Sequence, residues 1–553
     1  MTPAPRRGAP LVAVLERRGR FLVAEPLFDV GPRTAVDRRG ANEGDLVLIG
    51  AGKRGARVVR RLGRPDVARD VLEGLMLSRG LHRAYSRAAT AEAHEAASAP
   101  FAAADRVDLR DLPTFTIDPD EAKDFDDAIS VRREGEIVRL WVHIADVTAY
   151  VRPGGALERE AFRRATSVYV PGAVEPMLPE ALSNRECSLR PGEERLAVTV
   201  EMELEGTAVR RVVFHRSRVQ SDARLTYRQV DEVFAGRERA GEPWAEPLKA
   251  ARALAAALAE RRSSLAISGG EPSFSFDAEG HVTGVVYEEQ TESHRVIEQL
   301  MILANEQVAG YLEDARLPTL YRVHERPEPQ SVAFMAEQLA SLDVPTPPLP
   351  KQMSPQQAAD IAVEASRMIP DGYAFRSLIL RSLKQAFYSP RNVGHAGLGS
   401  ARYCHFTSPI RRYPDIVAHR ALLQGLGIDD AAAPAHELDE AGVVSSAAER
   451  EAMQIERDAD DACLAFLLER SRSDRPYEGE VVGLIEKGAF IRFGDEGFEG
   501  FLPVRRLRGW WVLNELGTAL VAEESGRRLR VGDPIDVTVD RIDAPRGRVD
   551  LSS

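Results

Sequence analysis

The stretch Thr116-Ile117-Asp118-Pro119-Asp120-Glu121-Ala122-Lys123-Asp124-Phe125-Asp126-Asp127 decides how this chain is read. Five aspartates and one glutamate fall within residues 118–127. Carboxylates this close repel, and a compact fold keeps them together only if something neutralises them. Hard oxygen ligands suit Mg²⁺, with Mn²⁺ as the alternative, and a site with few protein ligands leaves room for phosphate oxygens. The β-branched Thr116-Ile117 reads as the end of a strand that Pro119 stops. In a continuous strand Asp126 and Asp127 would face opposite ways. A turn is what lets Asp118, Asp124, Asp126 and Asp127 converge. Spacing excludes an EF-hand loop: the sixth residue from Asp118 is Lys123, not Gly, and the twelfth is Ile129, not Glu. On these residues alone, a catalytic metal site and a solvated acidic loop stand level.

The totals set the frame. A chain of 553 residues, 44% hydrophobic and 29% charged, is a multidomain globular protein. It has no apolar run long enough to span a bilayer, and Glu16, Arg17 and Arg18 interrupt the first apolar stretch, so neither a membrane segment nor a signal peptide is expected. Cys187, Cys404 and Cys463 lack metal-ligand spacing, which points to a reducing, cytoplasmic setting without a disulfide framework. Net charge is −12, yet residues 1–64 carry 14 Lys and Arg against 6 Asp and Glu. A basic flank on an acidic body attracts a polyanion, although a solvated arginine-rich surface would look the same.

Five short alternating segments fill the first part: Leu11–Leu15, Phe21–Ala24, Thr34–Val36, Asp45–Ile49 and Ala56–Gly63. They suit a small OB-like barrel. With the helix expected over 66–80 they make residues 1–80 an N-terminal OB-like domain. Residues 81–104 read as a polar connector. Strands dominate from 105 to about 235, with a hairpin whose arms are Leu196–Leu204 and Val209–Arg218. Helices follow over 247–262, 291–315, 327–342, 354–368, 378–388 and 436–472. The last part, 473–553, returns to five short strands and a second OB barrel. Its aromatics alternate with Lys487, Arg492, Arg505, Arg506 and Arg508. Phe490 is expected to be exposed with Arg492 on the same face, as a stacking platform for a single strand, whereas Phe501 reads as core.

A second informative run is His405-Phe406-Thr407-Ser408-Pro409-Ile410-Arg411-Arg412-Tyr413-Pro414-Asp415. Ser408 fits an N-cap and Pro409 the first helical position, which puts Arg411 and Arg412 in the first turn. Cations there oppose the helix dipole, so a nearby phosphate would offset the cost. From the local sequence alone, an Arg411–Asp415 pair on a solvated helix is the simpler explanation.

Together these runs resemble the RNase II / RNase R family. Ile117-Asp118-Pro119 with Asp124-Phe125-Asp126-Asp127-Ala128-Ile129 is similar to its acidic signature, and Thr407 to Asp415 to its arginine signature. Between them, His143-Ile144-Ala145-Asp146-Val147, Tyr169-Val170-Pro171-Gly172 and Pro176-Met177-Leu178-Pro179 fall in the family's order. The run Arg381 to Ala386 and the Arg411-Arg412-Tyr413 core resemble RNase R more than RNase II.

The resemblance implies a multidomain α+β protein. Its central catalytic RNB domain, an antiparallel sheet with surrounding helices over 105–472, would be flanked by RNA-binding OB barrels, a cold-shock-type one over 1–80 and a ribosomal-protein-type one over 473–553. It implies a processive, Mg²⁺-dependent 3′-to-5′ exoribonuclease that turns single-stranded RNA with a free 3′ end into nucleoside 5′-monophosphates, expected here as a cytoplasmic monomer. By motif, Asp118 and Asp127 resemble the principal metal ligands, and Asp124 and Asp126 complete the acidic set. Tyr169 resembles the aromatic at the terminal nucleotide and Arg411 the arginine on the scissile phosphate. Glu298 resembles a ribose-contacting glutamate and Tyr227 an aromatic along the RNA path. Some family features are not matched. Leu265–Gly270 has no second clamping aromatic, and Pro503 stands where related barrels carry histidine. The N-terminus has room for one small barrel rather than two. The sequence ends at Ser553 without a lysine-rich tail.

Overall fold

The computed structural model describes residues 11–553 apart from 20, 29–30, 38–39, 53–54, 82–83, 100–104, 263–268, 371, 429–434 and 474. The basic N-terminal run Met1–Arg7 and most of the Leu265–Gly270 segment lie outside the described residues.

The first five strands, Leu11–Arg18, Phe21–Pro26, Thr34–Asp37, Leu46–Gly52 and Gly55–Gly63, close into a barrel with fourth and fifth exchanged in spatial order. The helix Ala68–Ser78 packs against this barrel through Val71, Leu72 and Leu75. The expected connector 81–104 contains one helix. Arg87–Ser98 forms a helix because Ser86 accepts the N–H of Ala89 as its cap, and its alanine face packs on the helix Ala156–Arg164.

The central sheet has seven strands in the order Ala223–Thr226, Phe115–Asp118, Asp127–Glu134, Ile137–Ala145, Glu194–Glu205, Ala208–Gln220, Val107–Asp108. It is antiparallel in the middle and parallel at both edge pairs. Its curl follows from chain length. Gln220 and Ala223 sit at opposite sides of the strand order, about 24 Å apart in a flat sheet. Three residues reach at most about 11 Å, so the sheet must bend round. The bend carries the loop 119–126 at the end of Phe115–Asp118. One sheet face is filled by Ile129, Leu140, Val142, Val198 and Val200, which pack on the helices Ala245–Arg261 and Glu292–Asp314.

One helix, Leu438–Ser471, spans 34 residues, or about 51 Å. It touches the helix Ala68–Ser78 beside the first barrel, the strand Val168–Val170 and strands of the C-terminal barrel. The C-terminal barrel closes from Tyr477–Ile485, Gly488–Phe493, Phe498–Pro503, Arg548–Ser552 and Pro534–Asp543. A three-stranded meander over 511–530, not legible as strands in the sequence, is inserted between Phe498–Pro503 and Pro534–Asp543.

The expected helix 378–388 is corrected. Helix occupies Tyr373–Ser382, and Phe387–Ser389 is a strand paired with Tyr321–Val323. The N–H of Tyr388 is taken by Ser446 Oγ on the long helix, which holds it out of helical geometry. Among the described residues no helix is long and apolar enough to cross a membrane.

Candidate active site

The acidic loop is set by its neighbours, not by its own charge pattern. Pro119 ends the strand at Asp118, and the next strand resumes at Asp127. Between them the backbone is held from three sides. Arg224 donates to the carbonyls of Pro119 and Asp120. The N–H of Phe125 donates to Ser188 Oγ at 3.0 Å, and that hydroxyl donates to the Lys123 carbonyl at 2.8 Å. The N–H of Ala145 reaches the carbonyl of Asp126 at 2.9 Å.

The arginine run enters from the other side. Its helix begins at Tyr413, not at Pro409, so the expectation of Arg411 in a first turn capped by Ser408 is corrected. Arg412 is extended at φ −136° and bridges to Thr166, which keeps this part of the run out of the helix. The Arg411–Asp415 pair does not form. Asp415, fully buried, accepts Arg412 Nε at 2.9 Å and Nη2 at 2.8 Å, and also the N–H of Ser408 at 2.8 Å. Arg411 is left free of Asp415, with its side chain 49% exposed. Its Nε stands 3.7 Å from Asp126 Oδ2, and the N–H of Ile410 donates to Asp126 Oδ1 at 2.8 Å.

Tyr169, on the strand Val168–Val170, completes this side. Its hydroxyl donates to Asp124 Oδ2 at 3.0 Å, and its N–H donates to Glu456 Oε1 on the long helix at 2.9 Å. Burial, then the charge of Asp124, raises the phenol's pKa, so the hydroxyl stays protonated and remains a donor. Tyr227 opens the helix Tyr227–Phe234 near Asp127 and Asp118, whose charges add to burial in raising its phenol. Its ring stacks on His294 at 3.7 Å and 14°. Glu298 lies one turn beyond His294, exposed on the same helix.

The electrostatics favour an added positive charge. Burial, then the neighbouring Asp127, pushes Asp118 up to about 7. Burial pushes Asp127 up to about 6 although Arg411 and Arg412 pull it down. Asp126, only 4% exposed, is raised well above the ordinary carboxylate range by burial despite Arg411 and the Ile410 N–H. Oδ2 of Asp118 and Oδ2 of Asp126 are both buried without a hydrogen-bond partner. Orphaned carboxylate oxygens in a desolvated site are the donor set a hard cation takes. The four aspartates do not by themselves form a cage: among the described residues, no three His, Cys, Asp or Glu side chains converge as a metal-binding group. The fit is therefore to a cation whose coordination water and phosphate would complete.

Phe490 is 42% exposed, as expected, but Arg492 is not free. Its guanidinium carbon lies 5.3 Å from the Tyr287 ring and 5.0 Å from the Tyr373 ring, both of the central region. Phe501 is half-buried beside Phe490 at 5.3 Å, and not in the barrel core. Sequence reasoning missed Glu456, Ser188 and the Ile410 N–H. The carboxylate-rich stretch from Glu456 to Asp461 was a signal for the first; a backbone donor leaves none.

Residues 106–427 match the RNB domain, and residues 472–553 match the S1 RNA binding domain. Ribonuclease R of Escherichia coli (strain K12) is 35% identical over 472 residues, covering 82% of this chain and 58% of its own. Ribonuclease R of Aquifex aeolicus is 37% identical over 458 residues, covering 81% and 64%. The chain thus spans less than two thirds of the length of either relative. The structure of Mycoplasma genitalium RNase R in complex with ribose methylated single-stranded RNA superposes with a TM-score of 0.89 at 25% identity, over 100% of this chain and 90% of that one. Yeast Ssd1, described as a pseudonuclease, shares the fold at TM-score 0.69 and 16% identity, over 94% and 68%.

Proposed function

The chain belongs to the RNB-domain family, and on that premise we propose that it is a hydrolytic 3′-to-5′ exoribonuclease that degrades single-stranded RNA processively to nucleoside 5′-monophosphates. The observation that carries this reading is the meeting of Arg411 and the Ile410 N–H at Asp126, beside the Tyr169–Asp124 hydrogen bond. An acidic loop that was merely solvated would not have its central carboxylate buried against an arginine and a backbone donor from a distant segment.

Mg²⁺, or Mn²⁺, held by Asp118 and Asp127 with Asp124 and Asp126 completing the acidic set, would supply charge neutralisation and an activated water. The chain's own groups do the rest. Tyr169 offers its ring to the terminal base, while its hydroxyl fixes Asp124. Arg411, half-exposed and unpaired with Asp415, is free to meet charge that grows on the phosphoryl oxygens. The Ile410 N–H locks the orientation of Asp126. Tyr227 on its His294 support would line the RNA path, and Glu298, a turn beyond His294, would contact the ribose, where a 2′-OH distinguishes RNA from DNA. We place the enzyme as a monomer in a reducing cytoplasm, a setting in keeping with three buried, unpaired cysteines.

End-labelled RNA and DNA oligomers, incubated with Mg²⁺ and then with chelator, test the reading. Mononucleotides from RNA alone, and only with the metal, are expected. RNA bound but left intact would mark a binding protein on a dead catalytic fold. Equal attack on DNA would mark a different nuclease.

A further inference from the structure

Two short hairpins stand apart from the central sheet. One, Val168–Val170 with Ala173–Glu175, carries Tyr169. The other, Glu271–Phe276 with Val282–Glu288, has no part in the chemistry described so far. Neither pairs with a further strand among the described residues. A lone two-stranded hairpin is marginally stable in water, so each is held in place by what it touches.

The second hairpin touches both ends of the chain, the long helix and the Tyr169 hairpin. Its turn seats on the helix Ala68–Ser78 beside the first barrel. The N–H of Arg69 donates to the Gly280 carbonyl at 3.1 Å, and the Arg69 guanidinium donates to the carbonyls of Asp277 and Ala278 at 3.3 and 3.4 Å. The approach is so close that a Cβ on Gly280, which has φ +96°, would stand 2.9 Å from Arg69 Cβ. Asp277 accepts the N–H of His281 at 2.8 Å and pairs with Arg470 of the long helix at 3.3 Å. The open end seats on the C-terminal barrel. There the Tyr287 hydroxyl donates to the Glu496 carbonyl at 3.1 Å, and the Arg492 guanidinium carbon lies 5.3 Å from the Tyr287 ring. Near the turn, the ring of Phe276 packs over Gly172, 3.5 Å from where a Cβ would stand. Gly172 is in the turn of the Tyr169 hairpin.

Phe276 and Tyr287 occupy opposite ends of the hairpin. Phe276 pairs with Val282 and Tyr287 with Pro272, so the two contacts are separated by five residues of strand, about 17 Å. The hairpin cannot slide between them. Phe274, Phe276 and Val285 pack on the apolar core, and a slip of one residue would turn each of them away from it. A shift at the barrel contact is therefore carried to the Tyr169 turn. We propose that this hairpin is a strut that sets the position of Tyr169 from the seating of the C-terminal barrel, with Tyr287 and Phe276 as positioning residues. Glu456 holds the Tyr169 N–H from the long helix, and Phe276 closes the turn next to it. The catalytic consequence rests on the reading of the protein as an RNA exonuclease; the mechanical coupling does not.

The test is amide hydrogen exchange on the full chain without RNA, followed by single-turnover cleavage of a 5′-labelled RNA in Mg²⁺ on the same preparations. Tyr287→Leu removes the hydrogen bond and the ring at the barrel contact. It should speed exchange over 168–175 about tenfold and leave the strand Ile137–Ala145 as in wild type. Tyr287→Phe, which keeps the ring against Arg492, should fall between the two. Phe276→Ala should loosen the same residues, should add little to Tyr287→Leu, and should be rescued by Phe276→Tyr. Cleavage of bound RNA should slow about tenfold in Tyr287→Leu and Phe276→Ala, because a small displacement of the platform is enough. Val286→Thr, 66% exposed on the same strand, is the control and should match wild type in both measurements. Unchanged exchange over 168–175 in Tyr287→Leu and Tyr287→Phe, or a rise shared equally by Ile137–Ala145, would overturn the strut. Loosened exchange with cleavage at the wild-type rate would overturn its bearing on Tyr169 chemistry. A wild type that cuts no RNA would overturn the functional reading, and the exchange data would still decide the coupling.

Discussion

The backbone N–H of Ile410 donates to Asp126 Oδ1 at 2.8 Å, joining segments 284 residues apart. The adjacent Arg411 brings its Nε to 3.7 Å from the other carboxylate oxygen. One turn of chain therefore both orients the buried acid and presents the cation. Neither signature run assembles this geometry alone; the fold does so by docking the arginine run onto the acidic loop. Charges fixed in advance, in a site shielded from water, stabilise a transition state without reorganisation.

That turn hangs on Asp415. Its carboxylate takes the Ser408 N–H and both donor arms of Arg412 with no solvent exposure. Asp415→Ala should destabilise the protein by about 3–5 kcal/mol, because Arg412 is left without its buried counter-charge. Denaturant unfolding checks this. Asp415→Asn, which keeps an acceptor for Ser408, should fold and yet cleave slowly. In an Arg411→Ala background the same change should add little further loss, because both act through one turn. Fully additive losses would show that Asp415 does not act through Arg411.

Tyr169 has two separable functions. Tyr169→Phe keeps the ring and loses the 3.0 Å hydrogen bond to Asp124, so turnover should fall several-fold with little change in RNA affinity. Tyr169→Ala also loses the platform and should weaken binding of the 3′ end about tenfold. Filter binding and single-turnover rates on the same samples separate the two. Identical behaviour of the two variants would remove the distinction.

The metal-free protein should lose stability as pH rises. Burial places Asp118 at about 7 and Asp127 at about 6 in the fold, against an ordinary 3.8. The unfolded chain therefore ionises first, and stability contributed below about pH 4 declines as pH climbs towards 7. Cation binding needs the ionised carboxylates, so Mg²⁺ should raise Tm more at pH 8 than at pH 5. Thermal scans with and without chelator read both slopes. A Tm indifferent to Mg²⁺ at pH 8 would argue against a cation at these aspartates.

Much of this was legible in the chain. Alternation and turn residues located all five strands of each barrel, because a barrel strand has one wet and one dry face and writes that in its sequence. Pro119 ended its strand where expected. What failed was decided by partners remote in sequence. Ser408-Pro409 has the local chemistry of a helix start, but the Arg412 bridge to Thr166 moves that start to Tyr413. Tyr388 ends a run that reads as helix in the sequence, yet Ser446 and the strand Tyr321–Val323 hold it extended. Alternation correctly exposed Phe490 but could not show that Arg492 would lie against Tyr287 and Tyr373 from outside the barrel. The aspartates were visible as a set. Their burial, and the backbone donor at Asp126, belong to the tertiary fold.

The most direct measurement is cleavage by Asp126→Asn, with RNA affinity taken on the same preparation. Asparagine keeps the oxygen that accepts from Ile410 and exchanges the charged Oδ2 facing Arg411 for an NH2 group, so folding and RNA binding should stay close to wild type while the acidic oxygen is lost. Single-turnover hydrolysis of a 5′-labelled RNA in Mg²⁺ should fall by at least about 100-fold. A variant that binds RNA and trims it at close to the wild-type rate would contradict the account, for then the carboxylate buried against Arg411 would not be part of the chemistry.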